Sequence, residues 1–469
     1  MSTLSTLLTD IANAIRTKGS TTDKITGSNL PAAISNIPIN QTTEVVGGGY
    51  ILDITTYPNA NIVATKSGNT TKATIADSSG KAILTFNDTD DNGTWNINIK
   101  FINNSGQVEN YDTTFDYNVY LKTTMYCRFN EELRKYTGDI VGLSVARYDL
   151  ASTTIGNYAL FGGGNTSANG NVTNSNAVDS YNTTLTQGMV TELSRVGNNL
   201  AATTVGSYAL FGGGYMGSYT NNVDSYTNTL TKGTATALSE IKSQLAATTV
   251  GNYALFGGGY GITNGSNSAI NTVDIYNNTL TKGTIAILTE GRYNLAATTI
   301  GNYALFAGGQ SSSGSPISFV DSYNNALTKG TLDALHTRRS QFAATTVGDY
   351  ALFGGGNTTS TSRLIDVYTS SLSHSSTTEL SEIKDSLAAT SVGNYALFGG
   401  GAISISAAYK NSVDYYTNNL TKETATELSM GRSDLAATTV GSYAIFGGGR
   451  SVPNINTVPV EYVDVYTVA

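Results

Sequence analysis

The sequence predicts a mainly β protein, and three observations support that prediction. The run Gly-Asn-Tyr-Ala-Leu-Phe-Gly-Gly-Gly, first found at Gly156–Gly164, returns with few changes in seven copies. The copies begin 45 to 50 residues apart, at Gly156, Gly206, Gly251, Gly301, Gly348, Gly393 and Gly441. Each repeat divides into four pieces of strand length. Four short strands in a unit of this period are typical of a propeller blade, so the sequence predicts a seven-bladed β-propeller.

Composition limits the function. The chain has 469 residues, which is enough for two or three domains, and only 13% of them are charged. Its net charge of −8 argues against a nucleic acid partner, because phosphate contacts need concentrated Lys and Arg. The single cysteine, Cys127, excludes an internal disulfide and a cysteine-rich metal site. No segment has the form of a secretory signal or the length to span a bilayer, so we expect no membrane insertion and synthesis in the cytoplasm.

Residues 1–40 are predicted to form two short helices. Leu4, Leu8, Ile11 and Ile15 make a narrow apolar stripe on the first helix, and the second begins near Ser28. Two helices this short have no stable core of their own. We therefore expect an attachment or oligomerisation segment, with a helical cap on the next domain of the chain as the alternative.

Residues 44–122 change to a period of two, which predicts a small β-sandwich. The strand-like stretches are Ile62–Thr65, Lys72–Ile75, Ala82–Phe86 and Trp95–Lys100, with Trp95 as the expected core residue. The stretches 76–86 and 93–97 resemble bacterial immunoglobulin-like or carboxypeptidase-regulatory-like modules, and this resemblance implies an Ig-like β-sandwich. The string Asp88-x-Asp90-x-Asn92-Gly93 opens like a calcium loop. However, Ile99 stands where such a loop has a bidentate Glu, so an ordinary turn is expected.

Residues 123–469 carry the repeats. The last unit stops after its third strand, and the segment at about 136–144 aligns with the fourth strand of the other units. Pairing of 136–144 with 463–469 is therefore expected to close the ring. Doubled glycines after the second strand, followed by a loop and Val-Asp-x-Tyr, resemble kelch repeats. The resemblance implies a seven-bladed kelch-like β-propeller.

One face of this propeller varies while the other repeats almost unchanged. The loops between strands 2 and 3 differ in length and sequence; they are 165–177, 215–222, 260–272, 310–319, 357–364, 402–412 and 450–462. They should emerge on the same side as the connections that lead into strand 1. Variation on one rim of a rigid scaffold predicts a binding surface.

Two sets of residues on that face are candidate ligand contacts. The first consists of loop aromatics that could stack on sugars, although single exposed tyrosines can also be ordinary surface: Tyr215, Tyr219, Tyr260, Phe319, Tyr409 and Tyr462. The second is a partial basic ring, broken only by Gly197: Arg147, Lys242, Arg292, Arg339, Lys384 and Arg432. These cations could contact an anionic ligand such as teichoic acid. Alternatively, they could pair with the repeated Asp of Val-Asp-x-Tyr.

The sequence gives little support for catalysis. His336 and His374 are the only histidines, which leaves no nucleophile–histidine triad and no copper site of the kind found in kelch-fold galactose oxidases. Paired carboxylates of the glycosidase type remain open because Asp and Glu are scattered. We expect no catalytic residue, cofactor or metal.

The stretch Leu7–Pro38 is similar to a segment at the start of tail-fibre and other tail-associated proteins of phages and prophages of Gram-positive bacteria. The resemblance implies a virion protein that is made in the host cytoplasm and released by lysis. It also implies attachment to other tail proteins through the N-terminus, in a homo-oligomer such as a trimer. The leading prediction is a non-enzymatic receptor-binding protein that recognises a host cell-surface glycan or protein. The alternatives are a structural decoration protein and an envelope polysaccharide-degrading enzyme.

Overall fold

The structure is a computed structural model of the chain. It describes residues 49–468 except 56–58, 67–69, 78–80, 88–92, 103–107, 118–124, 129–132, 168–172, 264, 359–361, 404–407 and 453–456. The predicted helical segment 1–40, with Leu4, Leu8, Ile11 and Ile15, lies outside these residues, and so does the calcium-like string from Asp88 to Asn92. The described chain is mainly β and divides into two compact units, one formed by the described residues before Leu133 and the other by Leu133–Val468.

The first unit contains two sheets. Its strands are β1 (Gly49–Thr55), β2 (Asn61–Lys66), β3 (Thr70–Ile75), β4 (Lys81–Asn87), β5 (Gly93–Ile102), β6 (Val108–Tyr117) and β7 (Met125–Arg128). One sheet has the order β4-β1-β7, in which β1 and β7 are parallel, and the other has the antiparallel order β3-β2-β5-β6.

All four strands predicted between residues 62 and 100 are present as β2, β3, β4 and β5. Trp95 on β5 is fully buried, as expected of a core residue, and Ile97 and Ile99 follow it on the same face. The sequence pattern did not reveal β1, β6 or β7. Because β7 pairs with β1, residues 125–128 are in the first unit, whereas the sequence placed the start of the repeat domain at 123.

The second unit contains seven four-stranded antiparallel sheets, which we number 1 to 7 in chain order. Their first strands are β9 (Ala151–Ile155), β13 (Ala201–Val205), β18 (Ala246–Val250), β24 (Ala296–Ile300), β28 (Ala343–Val347), β32 (Ala388–Val392) and β38 (Ala436–Val440). The second strands are β10 (Tyr158–Gly162), β14 (Tyr208–Gly212), β19 (Tyr253–Gly257), β25 (Tyr303–Ala307), β29 (Tyr350–Gly354), β33 (Tyr395–Gly399) and β39 (Tyr443–Gly447).

The third strands carry the Val-Asp-x-Tyr motif or its close variants. They are β11 (Val178–Asn182), β15 (Val223–Thr227), β22 (Val273–Asn277), β26 (Val320–Asn324), β30 (Ile365–Thr369), β36 (Val413–Thr417) and β42 (Val463–Val468). The fourth strands are β12 (Gln187–Val190), β16 (Lys232–Ala235), β23 (Lys282–Thr284), β27 (Lys329–Leu332), β31 (His374–Ser376), β37 (Lys422–Ala425) and β8 (Leu133–Lys135). Each sheet has its strands in the order 1-2-3-4, the order expected of a blade.

Sheet 7 is completed from both ends of the unit. Its fourth strand is β8, which pairs antiparallel with β42, and the Tyr136 N–H also donates to the Val465 carbonyl oxygen at 2.8 Å. The pairing therefore spans residues 133–136, so the sequence placed the closing strand too far along the chain at 136–144, and residues 137–144 contain no strand. Lys135 fixes this register, because its Nζ lies 2.7 Å from Asp464 Oδ1.

The seven first strands form a closed ring, in which each contacts the next and β38 contacts β9. Threonine hydroxyls join neighbouring first strands: the Oγ1 atoms of Thr153 and Thr204 are 2.9 Å apart, and those of Thr154 and Thr438 are 2.8 Å apart. This arrangement is propeller-like. Among the described residues, no helix has the length and apolar character needed to cross a bilayer.

Tyrosines of the third strands bind each sheet to the segment before it. The seven equivalent residues are fully buried: Tyr181, Tyr226, Tyr276, Tyr323, Tyr368, Tyr416 and Tyr466. Each hydroxyl donates to a backbone carbonyl in the segment leading from the preceding sheet, as Tyr276 does to Thr236 at 2.6 Å. Burial raises the pKa of these phenols, so they stay neutral donors.

Three small sheets extend the loop region: one has three strands, and the other two are two-stranded hairpins. These strands are β17 (Lys242–Ser243), β20 (Tyr260–Thr263), β21 (Ser266–Ala269), β34 (Ala402–Ile403), β35 (Ala408–Tyr409), β40 (Arg450–Ser451) and β41 (Val458–Pro459). The order β17-β20-β21 forms one small sheet, and β34-β35 and β40-β41 are the hairpins.

Candidate binding face

The variable loops and the connections into strand 1 share one face, as the sequence predicts. In each sheet, the residue after the glycine triplet pairs with the connection. Examples are Asn165 with Tyr148 in sheet 1, Tyr215 with Asn198 in sheet 2, and β20 with β17 in sheet 3. The same pairing recurs in sheets 4 to 7. The connections therefore hold the start of every variable loop in place.

A closed ring of seven backbone hydrogen bonds lies on this face. Its seven members, which we call the mouth ring, are Asp149, Asn199, Gln244, Asn294, Gln341, Ser386 and Asp434. Each N–H donates to the carbonyl oxygen of the preceding member at 2.8 to 3.0 Å, and Asp149 closes the circle by donating to Asp434 at 2.9 Å. All seven residues have φ between 52° and 54°, a left-handed conformation that Asn and Asp tolerate better than most residues.

The mouth ring surrounds a cavity of about 400 Å³. The residue after each ring member is apolar and also lines the cavity: Leu150, Leu200, Leu245, Leu295, Phe342, Leu387 and Leu435. The surface that this cavity exposes is mainly polar, because most of the seven apolar side chains are themselves buried.

Charge in the cavity is concentrated where sheets 7 and 1 meet. Arg450 Nε lies 2.6 Å from Asp434 Oδ2, and Asp149 is the next ring member. Burial and the Asp434 charge raise the pKa of Asp149 well above its usual range, against the opposing effects of Arg450 and of a hydrogen bond from Asn199. Burial opposes the charge on Arg450, but Asp434 and Asp149 outweigh it and raise the pKa of Arg450.

Four tyrosines form a continuous row of rings across sheets 2 and 3 and the connection into sheet 4. The row runs Tyr215, Tyr219, Tyr260, Tyr293, and successive ring centroids are 5.1, 6.2 and 4.9 Å apart. All four side chains are half-buried. Burial and the neighbouring phenols raise the pKa of Tyr219, so its hydroxyl is neutral. We call this set the tyrosine row; it brings together three of the six aromatics predicted from the sequence.

The other three predicted aromatics do not join the tyrosine row in the described part of the chain. Phe319 and Tyr462 are exposed, at 40% and 45%. Tyr409 lies nearer the charged side of the face: its hydroxyl is 3.4 Å from Thr457 Oγ1, and it is one of the neighbours that raise the pKa of Arg450. Arg450 also stands 5.2 Å from the ring centroid of Tyr148.

The six predicted ligand-binding cations are not on the surface. Arg147, Lys242, Arg292, Arg339, Lys384 and Arg432 are all fully buried. Each pairs with the aspartate of the third strand in the sheet that it leads into: Asp179, Asp274, Asp321, Asp366, Asp414 and Asp464, respectively. Burial lowers the pKa of all six cations, and the facing aspartate opposes that shift.

Because the six cations are buried, the prediction that they contact an anionic ligand is wrong. The alternative is correct: they pair with the repeated Asp. Burying a charge without a partner is costly, so a cation and an aspartate in one sheet go together. Sheet 2 departs from this pattern, because Gly197 replaces the buried cation while Asp224 stays buried. Its ion-pair partner is Lys232 at 3.4 Å, at the fourth-strand position where sheets 3, 4, 6 and 7 also have a lysine.

Several residues of this face were not identified from the sequence. Tyr293 and Tyr148 occupy the position after the buried cation, which the loop comparison did not include. Arg450 follows a glycine triplet, where no other sheet has a cation. The mouth ring did leave a signal: a polar residue, never the same type throughout, stands immediately before the apolar residue that opens strand 1.

The chain matches no protein-family model, and none of the curated proteins compared with it is significantly similar.

Proposed function

We propose that this protein is a non-enzymatic receptor-binding or adhesion protein of a virion, such as a phage tail fibre. Its loop face would bind a glycan or protein on the host cell surface. The observation that carries the proposal is the tyrosine row, because it gathers aromatic rings from two variable loops and one connection on the face where the repeats diverge.

Tyrosine rings suit this role physically. A ring face stacks on the apolar C–H surface of a sugar, while the phenol hydroxyl exchanges hydrogen bonds with sugar hydroxyls. Tyrosine has few rotatable bonds, so it loses little conformational entropy on binding. Contact between successive rings restricts them further, which favours a preformed site.

The scaffold supports the proposal in a second way. The mouth ring and the paired connections fix the base of every loop, while the loop tips differ from sheet to sheet. Such a division lets loop sequence change without altering the sheets below.

The remaining parts of the proposal rest on sequence resemblance. The repeat unit is a kelch-like seven-bladed propeller, the first unit is an Ig-like spacer, and residues 1–40 attach a homo-oligomer, for example a trimer, to other virion proteins. The protein would be made in the host cytoplasm and released with the particle by lysis.

The test is saturable binding of the purified full chain to whole cells of candidate Gram-positive hosts, before and after extraction of wall polymers. The matched variant replaces loop 215–222 with loop 357–364, which has the same length but no tyrosine. We expect saturable binding that the graft reduces. Absence of saturable binding to any host, with particles lacking the protein still adsorbing normally, would instead favour a structural decoration protein.

A polysaccharide-degrading enzyme is the second candidate, and the neighbouring Asp149 and Asp434 favour it. One has a raised pKa and the other is paired with Arg450, which is how glycosidases divide acid and base roles between two carboxyls. This candidate predicts release of reducing ends from host envelopes, lost in Asp149→Asn while cell binding is retained. Binding to cells without release of reducing ends would exclude the enzyme and support the adhesion proposal.

A further inference from the structure

Both histidines of the chain converge on one aspartate. His336 lies in the connection into sheet 5, and His374 begins β31. His336 Nδ1 contacts Asp366 Oδ1, and His374 Nε2 lies 2.7 Å from the same oxygen. The two imidazole rings have centroids 4.4 Å apart. The three possible ligand atoms all lie within 4.8 Å of one another.

Comparison of the seven sheets shows that this cluster is a departure from the repeat. Where sheet 5 has His336, the other sheets place a hydroxyl residue whose backbone N–H donates to the aspartate: Ser144, Ser194, Ser239, Thr289, Ser381 and Ser429. Where sheet 5 has His374, five sheets place a lysine and sheet 1 a glutamine: Lys232, Lys282, Lys329, Lys422, Lys135 and Gln187. Sheet 5 thus differs at the positions of His336 and His374, while it keeps the buried cation, Arg339, and the aspartate.

The substitution also changes the charge around the aspartate. In sheets 3, 4, 6 and 7 the aspartate lies between two cations: the buried one in the connection into strand 1 and the lysine of the fourth strand. In sheet 5, Arg339 contacts Asp366 Oδ2, but imidazoles face Oδ1 in place of the lysine. A divalent cation held by the imidazoles would supply the missing positive charge on that side.

We propose that His336, His374 and Asp366 form a binding site for a divalent transition-metal ion, with zinc as the best match. Two imidazole nitrogens and one carboxylate oxygen are the donors that zinc prefers, whereas calcium and magnesium take oxygen ligands. Zinc commonly has three protein ligands and a water molecule when its site is open to solvent.

The surroundings support such a site. Asp366 is buried and is oriented by Arg339, and the His374 ring stacks on Tyr368 with centroids 4.5 Å apart and planes 10° from parallel. Partners of this kind hold metal ligands in position. The His336 side chain is 47% exposed, which gives an ion access from solvent and leaves room for a water ligand.

The ion would join two segments of the chain. The strand β31 is only three residues long and pairs with β30 alone, while His336 belongs to the segment that leads into strand 1. Binding to the folded chain alone stabilises it by mass action. The site would therefore fasten the outer edge of sheet 5.

The experiment uses the full chain without a histidine tag, freed of metal by chelator dialysis. Zinc binding is measured by calorimetry and by metal content, and cobalt is added as a spectroscopic probe of the ligand set. The matched variants are His336→Ser, His374→Lys and the double variant, which give sheet 5 the residues of sheet 3. Since these residues already work in the repeat, all three variants should fold, as circular dichroism would confirm.

We expect one zinc per chain, binding at least about tenfold weaker in each single variant, and none in the double variant. Zinc should also raise the unfolding temperature of the unmodified chain and leave that of the double variant unchanged. The proposal is overturned if the unmodified chain takes up no zinc at micromolar concentrations. It is equally overturned if the double variant binds zinc as tightly as the unmodified chain, since the metal would then be held elsewhere.

Discussion

Phe161 of sheet 1 packs against Gly447 of sheet 7, and a Cβ added at Gly447 would lie 2.9 Å from Cε1 of Phe161. The same contact joins other neighbouring sheets, for example Gly162 with Phe211 and Gly399 with Phe446. In six sheets the first glycine of the triplet thus allows the close approach of the next sheet, and sheet 4 has Ala307 at that position. The ring closes through the same contact that is used at five other junctions.

Gly447→Ala should therefore destabilise the ring. The extra methyl group forces Phe161 or the backbone to move, and overpacking of this kind costs about 1–3 kcal/mol. Adding Phe161→Leu should recover part of the loss, so a double-mutant cycle in urea would give a clear coupling energy. Ala307, the natural alanine at this position in sheet 4, provides the control: Ala307→Gly should cost no more than about 1 kcal/mol. A Gly447→Ala variant as stable as the parent would contradict the close-packing argument.

The buried ion pairs give a second prediction. Arg432 Nη1 lies 2.8 Å from Asp464 Oδ2, and both side chains are buried. Arg432→Met leaves that carboxylate with the partly exposed Lys135 and the hydrogen bonds from Ser429 but without its buried cation, so we expect a loss of about 3–5 kcal/mol of unfolding free energy. Lys422→Met in sheet 6 is the comparison, because Lys422 is partly exposed and its removal leaves the buried Lys384 beside Asp414, so it should contribute about 1 kcal/mol or less. Equal effects of the two substitutions in chemical denaturation would contradict the role assigned to the buried cation.

The repeat was readable from the sequence because each copy repeats the same physical constraints. Four strands per unit, the strand order and the common face of loops and connections follow from period, strand length and alternation. The basic ring had two interpretations at that stage, since a cation before strand 1 has the same spacing whether it points to solvent or to the Asp of Val-Asp-x-Tyr. Only its burial decides between them.

The candidate site was only half predictable. Tyr215, Tyr219 and Tyr260 were identified because they stand in variable loops. Tyr293 was missed because it stands in a connection whose other copies, apart from Tyr148, are polar or charged. Only the pairing of connection and loop brings it into the row. The convergence of His336 and His374 was missed for a similar reason. The antiparallel pairing of β30 and β31 brings His374 to Asp366, whereas His336 reaches it from the connection into sheet 5, where its backbone N–H donates to Asp366 Oδ1.

The tyrosine row gives a third prediction, which rests on the proposed function. Tyr219 contacts both Tyr215 and Tyr260, so Tyr219→Ala opens a gap in the middle of the row. We expect its affinity for host cells to fall by roughly tenfold or more, the size of loss seen for central aromatic contacts. Titration of labelled protein on whole cells measures this.

Two further variants separate the causes. Tyr219→Phe keeps the ring and should retain most of the affinity if stacking dominates, while Tyr462→Ala removes an exposed tyrosine outside the row and should leave binding unchanged. If Tyr462→Ala weakened binding as much as Tyr219→Ala, the tyrosine row would not be the site.

The mouth ring gives a fourth prediction, concerning pH. Burial and the Asp434 charge raise the pKa of Asp149 in the folded chain above the value of 3.8 that an unperturbed Asp has. A group with a raised folded pKa binds its proton more tightly in the folded state. Its contribution to stability is therefore fully present below about pH 4 and is lost as the pH rises through the folded pKa.

Asp149→Asn removes this titration without changing the backbone requirement, because Asn199 and Asn294 have the same left-handed conformation at the same position. The stability of the variant minus that of the parent should therefore rise with pH from about pH 4 and level off once Asp149 is ionised. Urea unfolding at a series of pH values measures this difference, in which the titrations of groups that do not interact with Asp149 cancel. Asp434→Asn provides the contrast, since it also removes the carboxylate that lies 2.6 Å from Arg450 and should give a smaller gain or a loss. A difference for Asp149→Asn that stays flat from pH 4 to pH 9 would mean that the carboxyl of Asp149 titrates as it does in the unfolded chain.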